Sequence, residues 1–445
     1  MELKQLIIHG LYGCYDYDVK FNSDMTFLYG KNGCGKTTVL NIVESIITGE
    51  IYKLYDYHFM SIELIFGEEA TKDRIYIEYQ NENILVMFKN NKSVLNLKNS
   101  DLENIDLEIS AQDRGREITR IYFEKYPILL DICKTFNYIY LPLNRINHKS
   151  RLVRIRLARR ILSRRRLVNN DEKILENISY IIRENYRSIE YEISKVNDKF
   201  RDNILKSFLI SKNYYNINEI INTIIENKGL VGELDNIQKT YLEILAELDI
   251  VNDNDLQESK KAFSKIIDDM RSFYIENKKR DGLIDLVLRY QEIMKIKDII
   301  ELAKLMEKEK YSLREPLKLF LNTINDFIKD ENDRKEIYID DFGKVYFKIG
   351  NTEEKIAITN LSSGEKQLLI FFTYLIFEVD RDSKAIFVVD EPELSLHLSW
   401  QKQFVKKIRD INPNIQLIFA THAPDIVGAN YDKMIELKKI FNKNE

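Results

Sequence analysis

Between Gly30 and Thr37 the chain reads Gly-Lys-Asn-Gly-Cys-Gly-Lys-Thr, which fits the spacing GxxxxGK[ST]. Glycines so placed let successive backbone N–H groups wrap a polyphosphate, and a helix start behind them adds a favourable dipole. Lys36 would reach the β- and γ-phosphates, and Thr37 would offer its hydroxyl to Mg2+. Gly30, Asn32, Gly33, Gly35 and Thr38 complete the expected cradle. An apolar run, Met25–Tyr29, precedes the loop, and Val39-Leu40-Asn41-Ile42 opens a helix after it. With only 15 glycines in 445 residues, a chance match is on the order of 1% or less.

Three other segments carry side chains suited to phosphate chemistry. Ala385-Ile386-Phe387-Val388-Val389 is an apolar run that ends in Asp390, Glu391 and Pro392. Such a run needs cover on both faces, as in a central parallel strand, and its carboxylates then emerge at the edge where α/β ligand sites lie. Asp390 is placed to hold Mg2+, directly or through water, and Glu391 to polarise an attacking water. Taken alone, the segment would more often be a plain turn; the phosphate loop upstream decides for chemistry. Leu361-Ser362-Ser363-Gly364-Glu365-Lys366-Gln367 opens an apolar helix. Two readings stay open for it: an ordinary cap at Ser363, or small residues and N–H groups that meet phosphate from another molecule. His422 follows a final apolar strand in Thr421-His422-Ala423-Pro424. A lone histidine there is more often structural, but one strand beyond Asp390 it can reach a γ-phosphate from the same side.

The surrounding pattern says which elements must hold these residues. Leu3–Ile8, Val19–Phe21 and Met25–Tyr29 read as strands, and a helix covers about Thr37–Ile47. Alternation in Ser61–Phe66, Arg74–Tyr79 and Ile84–Phe88 predicts an antiparallel patch with one solvated face. From residue 145 to 335 Gly and Pro nearly vanish, and apolar residues recur at helical spacing, as in Ile174, Ile178, Ile181 and Ile182. This stretch reads as a helical insertion, a compact lobe or short hairpin, since no long unbroken heptad series runs through it. Strands return at Glu336–Ile339 and Val345–Ile349. A helix near Ser363, the strand at Ala385–Val389, a helix from Ser399 and a strand at Ile415–Ala420 make an α/β alternation. The chain thus reads as three segments, 1–144, 145–335 and 336–445.

Composition narrows the alternatives. The chain is 44% hydrophobic and 31% charged, as in ordinary globular proteins. No run approaches the roughly 18–20 apolar residues of a membrane span, and the N-terminus does not resemble a signal peptide; the cytoplasm is the expected compartment. Cys14, Cys34 and Cys133 form no CxxC pair, and the five histidines have no metal-binding spacing. The formal charge of −4 hides an asymmetry. Between Arg145 and Arg166 lie nine Arg and one Lys with no acid, leaving 57 basic against 71 acidic residues elsewhere. The arginines from Arg151 to Arg166 spread over more than one helical face. They make either a solvated helix paired with acidic neighbours or a contact for nucleic-acid phosphate or an acidic partner protein.

Together, the nucleotide loop, LSSGE, VVDEPELSLH and ATH stand in the order of the ABC-type ATPases, and the chain resembles their SMC/RecF/OLD branch more than transporter subunits. The likeness covers roughly the first 145 and last 110 residues. It implies an α/β ABC-ATPase head, with a parallel nucleotide-binding sheet and an antiparallel β subdomain, interrupted by the helical insertion. It implies ATP and Mg2+ as cofactors: Lys36 and Thr37 bind them, Asp390 holds the metal, Glu391 is the hydrolytic residue and His422 the switch histidine. Ser362 and Gly364 would contact the γ-phosphate bound by a second copy, so a homodimer or higher oligomer is expected. Ser395-Leu396-His397 matches the loop that communicates between the two sites. Ser363 stands where the commonest signature has Gly, and Leu398 replaces a usual Pro. Gln80 and Gln112 are the candidates for the family's Q-loop glutamine. Tyr140-Leu-Pro-Leu-Asn-Arg145 resembles the segment before the insertion in antiphage ATPases of the Septu and PARIS systems, which implies a defence role with a separate nuclease or toxin as effector. The 23 residues after His422 are too few for a Toprim nuclease, so cutting is expected in trans. A RecF-like DNA-repair ATPase and a nucleotide-gated scaffold with little turnover are the competing readings.

Overall fold

The computed structural model describes residues 1–68, 71–96, 111–142, 171–209, 230–247, 253–276, 283–329, 334–350, 352, 354–379, 384–394 and 396–441. The arginine run from Arg151 to Arg166 and Ser395 lie outside the described residues, as do the side chains of Gln112 and Tyr140. Strands β1 (Glu2–Leu11), β2 (Tyr15–Lys20) and β3 (Met25–Tyr29) lead into helix α1 (Lys36–Ile47). Then come β4 (Ser61–Glu68), β5 (Thr71–Gln80), β6 (Asn83–Phe88) and β7 (Asn91–Asn96), followed by α2 (Ala111–Lys125), α3 (Pro127–Thr135) and β8 (Tyr138–Pro142). The next described helices are α4 (Asp171–Leu209), α5 (Leu230–Glu247), α6 (Asp253–Glu276) and α7 (Leu283–Ile328). After β9 (Lys335–Ile339), β10 (Val345–Ile349) and β11 (Ile356–Ala357) the chain runs through α8 (Ser363–Phe377), β12 (Ala385–Asp390), α9 (Leu398–Ile411), β13 (Ile415–Ala420) and α10 (Pro424–Val427). It closes with β14 (Met434–Glu436) and β15 (Ile440–Phe441).

A five-stranded parallel sheet, in the order β14-β3-β13-β12-β8, organises the α/β unit. Its central strands are apolar throughout because both faces are covered. On one face Phe387, Val389, Leu417 and Phe419 pack against α8 and the helices beside it; on the other Ile386, Val388, Ile418 and Ala420 pack against α1 and a second sheet. That second sheet is antiparallel and seven-stranded, in the order β15-β2-β1-β4-β5-β6-β7. Gln416 is the one polar side chain in β13, and its amide explains why. It accepts from Leu3 N (2.7 Å) and donates to Leu3 O (2.8 Å) and Asn22 O (2.7 Å), so the amide ties the two sheets together without leaving a buried polar group unmet.

The chain divides into two compact units, one made of residues 1–185 and 316–445, the other of Tyr186–Glu315. The division differs from the 145–335 insertion expected from composition. The first turns of α4 and the last of α7 belong to the α/β unit, because Ile178, Ile182, Phe320 and Ile324 are buried in one cluster with Phe371 and Phe372 of α8. Phe320 and Phe327 lie 5.2 Å and 5.3 Å from the rings of Phe377 and Phe372. Asn177 Nδ2 donates to Tyr374 Oη at 2.9 Å. The second unit is helical and has its own cores, around Phe263, Ile267 and Tyr290, and around Phe200, Ile300 and Met306. Of α4 and α7 it holds residues 186–209 and 283–315. No helix among the described residues is long and apolar enough to cross a membrane.

Phe320 is fully buried while Leu305, on the same helix, is 65% exposed. Replacing Phe320 with Ala is expected to destabilise the α/β unit by about 3–5 kcal/mol, whereas Leu305→Ala should stay within about 0.5 kcal/mol. Urea unfolding of both variants checks this; equal midpoints would mean that the end of α7 does not share the α/β core.

Candidate functional site

The parallel order β3-β13-β12 sends three loops out of one sheet edge. The backbone ladder continues past the strand ends, with Glu391 N donating to Ala420 O (2.8 Å) and Thr421 N to Leu28 O (3.1 Å). The glycine loop leaves the end of β3, Asp390-Glu391 closes β12, and Thr421-His422 leaves the end of β13. Residues separated by hundreds of positions thus meet at one level of the sheet.

The loop's shape depends on its glycines. Gly33 has φ +77° and Gly35, at the N-cap of α1, has φ +101°, both in the left-handed region that disfavours a side chain. A Cβ on Gly35 would also lie 2.6 Å from Tyr17 Oη. Tyr17 fixes the loop from β2 by donating to Cys34 O at 3.0 Å, and its burial pushes the phenol up to about 12. Asn32 is exposed at the loop, Thr37 is exposed at the helix start, and Thr38 is half-buried. Lys36, in contrast, is buried, with Nζ 3.3 Å from Gly30 O and 2.5 Å from His422 Nε2.

Asp390 is 1% exposed, and its Oδ1 is buried with no hydrogen-bond partner. Burial raises its carboxyl to about 6, the Glu391 and Glu393 carboxylates add to the rise, and a Thr37 hydrogen bond and the Lys36 ammonium oppose it. An orphaned buried carboxylate oxygen beside a threonine hydroxyl and a lysine is what a divalent cation with a phosphate would complete. No group of three or more His, Cys, Asp or Glu among the described residues could hold a metal alone. A cation here would therefore take Thr37 and Asp390 from the protein and the rest of its oxygens from ligand or water. Glu391 has φ +50°, strained for a residue with a side chain, and this conformation turns the chain sharply at the end of β12.

The segment expected to meet a second molecule is built as a cap. Ser362, rather than Ser363, is the N-cap of α8: its Oγ accepts from Glu365 N (3.4 Å), and Ser362 N donates to Glu365 Oε2 (2.7 Å). Lys335 Nζ donates to Glu365 Oε1 at 2.9 Å. Burial would raise the Glu365 carboxyl, but Lys335 and the Ser362 donors hold it below its ordinary value. Ser362 is exposed and Gly364 buried. Neither is hydrogen-bonded to the cluster around Lys36. Gln80 sits exposed at the tip of the β5–β6 hairpin, paired with Asn83. His397 caps α9 through Ser399.

Sequence reasoning missed Glu393. Its Oε2 accepts from Thr421 Oγ1 at 2.8 Å and its Oε1 from His422 N at 2.6 Å, joining the loop after β12 to the loop after β13. Its only sequence signal is a third acid within four residues of a strand end.

Residues 155–428, more than half of the chain, match the family described as "AAA domain, putative AbiEii toxin, Type IV TA system". The chain is 21% identical over 446 aligned residues to the "Endonuclease GajA" of Bacillus cereus (strain HuB5-5), covering 93% of this chain and 53% of that protein. It is 30% identical over 92 residues to the "Septu protein PtuA" of Bacillus thuringiensis, 18% of this chain and 23% of that one. It is 32% identical over 92 residues to the "Retron Vc95 probable ATPase" of Vibrio cholerae serotype O1 biovar El Tor, 19% of this chain and 18% of that one. The chain thus spans about half the length, or less, of these curated relatives. Among solved structures it aligns with a Pyrococcus yayanosii Smc head domain with a coiled coil and joint, at 14% identity and a TM-score of 0.37, over 99% of this chain and 96% of that one. With a glycine loop, two acids and a histidine gathered on one edge of a parallel sheet, the chain belongs to this AAA domain family.

Proposed function

We propose that the chain binds ATP with Mg2+, closes on a second copy of itself, and by hydrolysis controls a separate effector, a nuclease or toxin, in antiphage defence. The observation that carries the hydrolytic part is the meeting of Lys36, His422 and the Asp390-Glu391 pair on one sheet edge. In this reading the backbone N–H groups of Gly33, Gly35 and their neighbours cradle the β-phosphate, and Lys36 leaves His422 to reach the terminal phosphate oxygens. Thr37 and Asp390 would hold the cation, which would supply positive charge to offset that of the phosphates. Glu391 orients a water for in-line attack and accepts its proton, and His422 donates to the γ-phosphate.

The dimer rests on the exposed Ser362 hydroxyl and the α8 N-terminus, which in this reading meet the γ-phosphate bound by the other copy. The defence role and the separate effector rest on the likeness to Septu and retron proteins, which covers short parts of those chains.

Glu391→Gln should leave ATP binding intact, lower phosphate release by about 100-fold or more, and accumulate an ATP-bound dimer seen by light scattering. Wild-type turnover in that variant would remove Glu391 from the reaction.

The Asp390 carboxyl gives a second expected outcome. Its folded value, about 6, lies above its ordinary 3.8. Between those values the folded protein holds more protons than the unfolded one, so nucleotide-free stability falls as pH rises through that window and stays low above it. Asp390→Asn, which cannot ionise, should therefore be more stable than wild type at pH 7.5, by on the order of 1–3 kcal/mol, and lose that advantage below about pH 4. Thermal or urea unfolding of the two proteins across that range measures it; a constant difference would refute the buried-charge account.

A further inference from the structure

The loops after β12 and β13 could be held side by side by backbone pairing alone, but one side chain adds a second link. Glu393 uses both carboxylate oxygens on the neighbouring loop, one for the Thr421 hydroxyl and one for the His422 amide. Both bonds are short, 2.8 Å from the Thr421 hydroxyl and 2.6 Å from the His422 N–H. Thr421 is buried, and its Oγ1 also accepts from Ala423 N at 3.0 Å, so the carboxylate grips both sides of the histidine. Glu393 is itself anchored from behind. Gln401, buried in α9, donates to Leu396 O at 2.8 Å and to Glu393 O at 3.4 Å. The far end of the His422 ring meets the phosphate-loop lysine, with Nε2 2.5 Å from Lys36 Nζ. Where the ring points thus depends on how firmly its own amide is fixed.

We propose that Glu393 is a positioning residue for ATP turnover: its carboxylate holds the amide of His422 and the hydroxyl of Thr421, and so sets the imidazole over the site of the terminal phosphate. The proposal rests on the hydrolytic role given to His422 above. It separates reach from charge. Glutamine has the same length as glutamate, and its amide can accept from His422 N while donating to the Thr421 oxygen. Aspartate keeps the charge but draws the carboxylate back by one methylene, out of reach of both donors.

ATP turnover by the full chain is measured for Glu393→Ala, Glu393→Gln, Glu393→Asp, His422→Ala and the Glu393→Ala/His422→Ala pair. Glu393→Ala and Glu393→Asp should lower kcat by about tenfold or more, with KM for ATP changed by less than about threefold. Glu393→Gln should stay within about threefold of wild type. A residue that acts only through His422 has nothing left to position once the ring is gone, so the pair should match His422→Ala alone. The inference is overturned if Glu393→Ala costs the same factor in both backgrounds, or if Asp substitutes for Glu and Gln does not. Should Glu393→Ala fail to fold, the Asp and Gln variants decide it by the same criterion. Full turnover in His422→Ala would instead sink the role of the histidine, and with it the reading beneath this one. Loss in His422→Ala with none in Glu393→Ala or Glu393→Asp would remove Glu393 alone.

Discussion

Parallel pairing of β13 between β3 and β12 is the constraint on which the site depends. A parallel strand contributes its C-terminal end to the same edge as its neighbours, so each connecting loop starts at the same level. Leu28, Ala420 and Asp390 stand side by side in the register, and next along their chains come the glycine loop, the histidine and the second acid. The cost of this arrangement is that both faces of three apolar strands must be buried. The chain meets it with two separate cores, one under α8 and one under α1 and the antiparallel sheet. Stacking of Phe27 on Phe419, with centroids 5.4 Å apart and planes at 11°, holds two of the loops at fixed spacing.

Much of this was legible in the residues because local pattern and tertiary role coincide. The apolar runs at Ala385–Asp390 and Ile415–Ala420 have no polar alternative to a doubly covered strand, apart from Gln416. The glycine loop carries its own geometry, since left-handed φ at Gly33 and Gly35 is available to few other residues. What escaped the sequence was tertiary. Gln416 looks like an error in a core strand until Leu3 and Asn22 are seen across from it, more than 390 residues away. Glu393 and Lys335 look like solvated charges, because their partners Thr421, His422 and Glu365 become neighbours only in the fold. The unit boundary escaped for the same reason: helical spacing is continuous through α4 and α7, and only burial against Phe371 and Phe372 shows where each helix changes unit.

Two acids in the site carry opposite environments. Asp390 is raised to about 6 with an oxygen left over, while Glu365 at the α8 start is held below its usual range by Lys335 and the Ser362 N–H. The first arrangement disfavours the charged form; the second is a charge already satisfied. By that contrast a structural carboxylate can be told from one waiting for a ligand.

Capping and recognition at Ser362 need not exclude each other. A capping hydroxyl uses an oxygen lone pair to accept from the backbone, and at 3.4 Å from Glu365 N that bond is long. Ser362 is exposed, and its side chain also hydrogen-bonds to the Glu365 carboxylate. An acceptor arriving from outside would take the hydroxyl from Glu365 and leave the backbone half of the box. The stronger half of the box, Ser362 N to Glu365 at 2.7 Å, would meanwhile keep the helix start in shape. Lys335 completes the logic: by pairing with the second oxygen of Glu365 it offsets a negative charge that would otherwise repel phosphate from the helix N-terminus. A buried carboxylate such as Glu365 gains from that lysine in either role, as a cap alone or as a cap beside an anion.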